Sequence, residues 1–214
     1  MEKIIVTTID FVKEKLKNAE GGHDWYHIER VWKQSKKIAE NYTCNILVVE
    51  LGALLHDIAD PKFHNGDENI GPKTAQDFLE SQNIDAKIID KVIDIIKNIS
   101  FKNRNEVTET SLELQIVQDA DRLDAIGAIG IARTFNFGGF KNNALYDPEI
   151  PPQNSTSKEE YKNSNGTTIN HFYEKLLLLK DLMNTEKGKE LAEIRHQYME
   201  NFLEQFYNEW NSKI

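Results

Sequence analysis

Histidine and aspartate crowd into three short stretches of this 214-residue chain. His23 and His27 stand four residues apart, one helical turn, so a helix would present both on one face. His56 and Asp57 are adjacent and follow Ala53-Leu54-Leu55, with Asp60 four positions beyond His56. Asp119, Asp121 and Asp124 fall within VQDADRLDAIGAIGIA. Imidazole and carboxylate are costly to bury without partners, yet the second and third stretches are too apolar for a surface. Two apolar helices that turn such groups inward invite a cation between them, because a cation offsets the repulsion among carboxylates. Mixed imidazole and carboxylate donors suit manganese, iron, cobalt, nickel or zinc in a reactive site; a structural zinc site favours cysteine. Four protein ligands around an octahedral ion leave room for a water and a phosphate oxygen. The ion acidifies the first and neutralises charge on the second.

The elements that must position these residues have a helical period. Ile5, Ile9, Val12 and Leu16 step by four, three and four. After Gly21-Gly22, the residues Ile28, Val31, Trp32, Ser35, Ile38, Ala39 and Tyr42 trace an amphipathic helix. LVVELGALLHDIAD is apolar nearly all round and reads as a central helix ended by Pro61. A short helix is expected over Lys73–Ser81, and paired apolar residues from Ile88 to Ile99 predict another. Thr110-Ser111-Leu112-Glu113 has the form of a capping box opening the helix that carries Asp121. From Asn136 to Asn165 the apolar period vanishes and Gly, Asn, Pro and Ser accumulate, which predicts one long loop, either a lid or a surface excursion. HFYEKLLLLKDLM and Leu191–Trp210 predict two closing helices, with the Trp and Phe of the last in the core. No alternating strand pattern stands out, so the fold class is all-α.

Composition limits the function. With 26 Lys and Arg against 35 Asp and Glu, the formal charge is −9, which argues against holding duplex nucleic acid or an anionic membrane by bulk electrostatics. A small anionic substrate is still admissible, because a cation with a few Lys or Arg reverses the sign inside one pocket. The single cysteine, Cys44, permits neither an internal disulfide nor a thiolate cluster. The run Ile4–Val12, interrupted by Thr7, Thr8 and Asp10, is too short to span a bilayer and lacks a small-residue cleavage site. A cytoplasmic setting is expected.

GGHDWYHIERVW, ALLHDIAD and DADRLDAIGAIGIARTF, in that order, resemble the HD-domain superfamily of metal-dependent phosphohydrolases. They are most similar to a bacterial branch of small stand-alone hydrolases acting on nucleotides, and the resemblance extends to HFYEKLLLL and the final aromatic helix. It implies His27 as the first histidine ligand, His56 and Asp57 as the paired ligands, and Asp121 in Ala-Asp-Arg as the last. Spacing alone does not choose among Asp119, Asp121 and Asp124, and Asp124 is a candidate to orient a ligand. The metal is expected to be one divalent transition ion per chain, manganese, nickel, iron or cobalt foremost, with magnesium and zinc as further candidates. The implied architecture is a single HD-type helical bundle over residues 1–214, with a C-terminal helical extension from 166.

Around that metal, Asp60 either stops the central helix or serves as general base, the reading its place one turn after His56 favours. Arg30, three residues beyond His27, and Lys62 are candidate phosphate contacts; His23 either caps a helix or binds phosphate. Arg122 is expected to pair with local acids. Gly127 and Gly130 form no phosphate loop, since no strand precedes them. The first expectation for function is hydrolysis of a nucleoside or deoxynucleoside triphosphate to monophosphate and pyrophosphate by a metal-activated water. The alternatives are a 5′-nucleotide phosphomonoesterase, a cyclic-nucleotide phosphodiesterase, or a nucleotide-sensing domain without turnover.

Overall fold

The computed structural model describes residues 2–17, 24–59, 67, 69–99, 110–153 and 166–214. Every regular element among them is helical: α1 (Glu2–Lys15), α2 (Trp25–Ala39), α3 (Ile46–Leu55), α4 (Ile70–Ser81), α5 (Ala86–Asn98), α6 (Leu112–Asp124), α7 (Gly127–Phe140), α8 (Asn170–Glu174), a 3₁₀ helix (Leu176–Leu182) and α9 (Glu186–Trp210). The chain divides into two compact units, residues 1–121 and 122–214.

In the first unit the apolar α3 is the centre: every residue from Val48 to Leu55 is buried, and α1, α2 and α5 pack against it. α4 packs on α5. Local capping sets where these helices begin. The Asp24 carboxylate accepts from the His27 amide, Asn45 Oδ1 from the Leu47 and Val48 amides, and Asp85 Oδ1 from the Lys87 amide. α6 begins with a simpler cap than the expected box. Ser111 Oγ accepts from the Leu114 amide at 3.2 Å, while Glu113 turns away and accepts from the Asn45 amide at 2.9 Å. The carboxylate that would have closed the box instead ties the start of α6 to the start of α3.

The central helix is shorter than its apolar run. It stops at Leu55, and His56 and Asp57 occupy the turn that follows. There the Ile58 amide reaches back three residues to the Leu55 carbonyl, and the His56 ring occupies the Ala53 carbonyl, so the α-pattern closes early.

In the second unit α7 and the 3₁₀ helix pack on α9, and α8 on the 3₁₀ helix. The expected loop from Asn136 begins later, because Asn136–Phe140 continue α7. Gly138 is buried there with room only for hydrogen: a Cβ would come within 2.3 Å of Thr168 Oγ1. Close packing thus overrides the low helix propensity of glycine. Residues 141–153 follow without a helix, and 154–165 lie outside the described residues. HFYEKLLLLKDLM, expected as one helix, breaks at Lys175 into α8 and the 3₁₀ helix. Leu176, Leu179 and Leu182 recur every three residues, the 3₁₀ period, and the first two are buried. The aromatic face of α9 is only partly interior: Phe202 stacks on Phe172, while Trp210 is 47% exposed beside Tyr146 and Phe206.

Candidate metal centre

His27 stands in the first turn of α2, held at its own amide by the Asp24 cap, and it is buried. His56 is buried directly after α3. Trp32 Nε1 of α2 donates to Glu50 Oε2 of α3 at 3.0 Å, which fixes the two helices that carry these histidines. The Glu113–Asn45 bond fixes α6 to α3, and Gln118 Nε2 donates to the Asn98 carbonyl at 2.8 Å, fixing α6 to the end of α5. Each element bearing a candidate ligand is therefore held by a polar contact as well as by packing.

The result is convergence. His56 Nε2 lies 3.3 Å from His27 Nε2, and Asp121 Oδ1 lies 3.5 Å from the first histidine and 3.8 Å from the second. Ligand atoms of His27, His56 and Asp57 fall within 4.8 Å of one another. The Ala53 carbonyl, 2.8 Å from His56 Nδ1, can only accept. It therefore places that ring's hydrogen on Nδ1, and in the neutral ring the Nε2 lone pair faces His27 and Asp121. An ion about 2.0–2.3 Å from each ligand sets neighbouring ligand atoms about 3–3.7 Å apart, close to the spacings found. Lone pairs and carboxylate charge gathered this tightly repel one another until a positive charge enters. The donor set fits a divalent cation. Among the described residues of the cluster, the histidines are buried and Asp121 keeps 36% of its side chain exposed.

Of the three acids in VQDADRLDA, Asp121 is beside both histidines, whereas the Asp124 carboxylate meets Arg133 Nη1 at 2.6 Å. Asp119 is fully buried. Arg30 is half-buried on α2, one turn after His27. Arg122, expected beside local acids, is buried and its Nη1 donates to the Leu182 carbonyl. His23, Asp60 and Lys62 lie outside the described residues. Asp24, Glu50 and Ala53 also build the site, though they were not among the residues expected to. An acid one position before an apolar-periodic run signals a cap and could have revealed Asp24; a backbone carbonyl that orients an imidazole leaves no trace in sequence.

The HD-domain family model matches residues 24–126, the stretch that contains His27, His56, Asp57 and Asp121. YpgQ of Bacillus subtilis is 38% identical over 197 residues, covering 91% of this chain and 88% of YpgQ. The chain belongs to the HD-domain family. Solved structures match the chain over almost its whole length. An HD-superfamily hydrolase from Bacillus thuringiensis matches at 46% identity and TM-score 0.79, covering 98% of each chain. A protein from Lactobacillus plantarum matches at 37% identity and TM-score 0.84, covering 99% of this chain and 98% of the other. YpgQ in complex with ADP superposes at 34% identity and TM-score 0.78, covering 97% and 95%. HD domains bind divalent metals. No helix among the described residues is long and apolar enough to cross a membrane.

Proposed function

We propose that this HD-domain protein is a divalent-metal-dependent phosphohydrolase of nucleotides that releases pyrophosphate from a nucleoside or deoxynucleoside triphosphate. The observation that carries the reading is the pair of facing imidazole Nε2 atoms, with the Asp121 carboxylate beside both and Asp57 within 4.8 Å of both histidines. The ADP complex of YpgQ supports a nucleotide as the substrate class. A cation held by His27, His56, Asp57 and Asp121 would supply Lewis acidity, neutralising phosphoryl charge and lowering the pKa of water.

The chain's own residues then have distinct tasks. His27 and His56 would offer Nε2 to the ion, and the two aspartates would supply the negative charge that retains it. Hydrolysis forms a bond from a water oxygen to the α-phosphorus and breaks the bond to the bridging oxygen, so pyrophosphate departs. The water's proton passes to Asp60, the carboxylate three positions after Asp57. Arg30, Lys62 and His23 bind the phosphates, where charge-assisted hydrogen bonds favour the trianionic or tetra-anionic chain.

A screen of manganese-loaded protein over ribo- and deoxyribonucleoside mono-, di- and triphosphates and cyclic nucleotides tests this. Orthophosphate is read with and without added inorganic pyrophosphatase. Phosphate that appears from a triphosphate only with pyrophosphatase present is the expected result. Direct release of orthophosphate from monophosphates would instead establish a phosphomonoesterase, opening of a cyclic nucleotide a phosphodiesterase, and binding without any product a sensor.

A further inference from the structure

α6 ends at Asp124, one turn after Asp121, and two arginines, Arg133 and Arg195, hold its last turn. Carbonyls at a helix C-terminus lack intrahelical donors. Here the Arg122 and Leu123 carbonyls accept from the Ala125 and Ile126 amides, and Leu123 also accepts from Arg195 Nη1. The Asp124 carbonyl accepts from Arg133 Nη1 at 3.3 Å, and the same nitrogen holds the Asp124 carboxylate at 2.6 Å. Asp124 is 4% exposed, so this ion pair is poorly screened. Cations also oppose the negative end of the helix dipole.

The next residues keep space for the arrangement. Gly127 has φ +74°, a conformation that favours glycine, and a Cβ there would come within 3.0 Å of the Arg195 stem. Gly130 brings α7 against the Ala125 carbonyl, where a Cβ would stand 2.2 Å away. That contact lets Arg133, one turn further along α7, return to Asp124.

We propose that Arg133 is a positioning residue for the cation site. It locks the last turn of α6 through Asp124, and thereby holds Asp121 in the orientation that brings Oδ1 to both histidines. The proposal rests on Asp121 being a ligand, as read above. Loss of a partner that orients a ligand weakens metal binding by about ten- to a hundredfold.

The test is calorimetric titration of Mn²⁺ into chelator-stripped full-length protein, with folding checked by circular dichroism. Wild type, Arg133→Met, Asp121→Ala and the double variant are compared. Arg133→Met should weaken Mn²⁺ at least about tenfold. In the Asp121→Ala background it should add less than about twofold, because its effect passes through a side chain already removed. Arg133→Met binding at wild-type affinity overturns the proposal, and so does an equal, additive loss in both backgrounds, which marks a general structural role. If Asp121→Ala itself binds Mn²⁺ as wild type does, the ligand assignment fails, and the proposal with it. Should Arg133→Met not fold, Arg133→Lys and Asp124→Asn are titrated in its place. Weaker Mn²⁺ binding in both supports the proposal, and wild-type affinity in either overturns it.

Discussion

Replacing Asp60 by asparagine keeps the size of the side chain and removes its ability to take a proton. Turnover on the preferred nucleotide should fall by about a hundredfold or more, with Mn²⁺ affinity within about twofold of wild type. Steady-state kinetics beside calorimetry would check this, and loss of Mn²⁺ binding in the variant would make Asp60 a ligand instead of a base. His56→Ala should do the reverse, weakening Mn²⁺ binding by at least about tenfold and abolishing turnover in consequence. The His56-Asp57 pair was legible at this scale because two costly groups follow three apolar residues in a segment with no surface face. Choosing Asp121 over Asp119 and Asp124 was not a matter of spacing. It depended on the match to Ala-Asp-Arg; in the structure Asp121 lies beside both histidines, while the Asp124 carboxylate is engaged by Arg133, a residue nine positions away.

The helices were legible from apolar period, but their ends were less so, because ends depend on contacts that period does not encode. The expected box at Thr110 gave way to Ser111 once Glu113 had a partner on α3. α7 ran on through two glycines because Thr168 fills the space beside the first. A Cβ at Gly52 would lie 2.7 Å from Ile95 Cδ1, between α3 and α5. Gly52→Ala should therefore cost about 1–3 kcal/mol by overpacking. Adding Ile95→Val, which removes that methyl, should recover part of the loss in urea unfolding. No recovery would mean that the strain lies elsewhere than at this contact. Because His56 directly follows α3, Gly52→Ala should also weaken Mn²⁺ binding, while Ser111→Ala, a cap far along α6 from Asp121, should cost about 1 kcal/mol and leave Mn²⁺ affinity unchanged.

For the molecule as a whole, composition set the bounds and the ordered motifs narrowed them, while the division at Asp121 into two compact units was not visible in any linker. α6 crosses that division without a break, so no run of Pro, Gly or Ser marks it. Acid stability gives a global check on the second unit. Burial, reinforced by the Lys175 ammonium, pushes the His171 imidazole down to about 4 from its ordinary 6.5. Above pH 6.5 the ring is neutral both folded and unfolded, and it costs nothing. As the pH falls from 6.5 to 4, the unfolded chain takes up a proton that the folded chain refuses, and stability drops by up to about 3 kcal/mol. In metal-free protein His171→Gln should flatten the fall of the urea midpoint over this window. An unchanged pH slope would show that His171 titrates normally in the fold.

The central claim is that one divalent ion is held jointly by α2, the turn after α3, and α6. Anomalous diffraction at the manganese edge from crystals grown with Mn²⁺ tests it most directly. The account predicts one strong peak about 2.0–2.3 Å from His27 Nε2, His56 Nε2, an Asp57 oxygen and Asp121 Oδ1. A peak that excludes Asp121 in favour of Asp119 or Asp124, or no peak between the two histidines at saturating Mn²⁺, would contradict it.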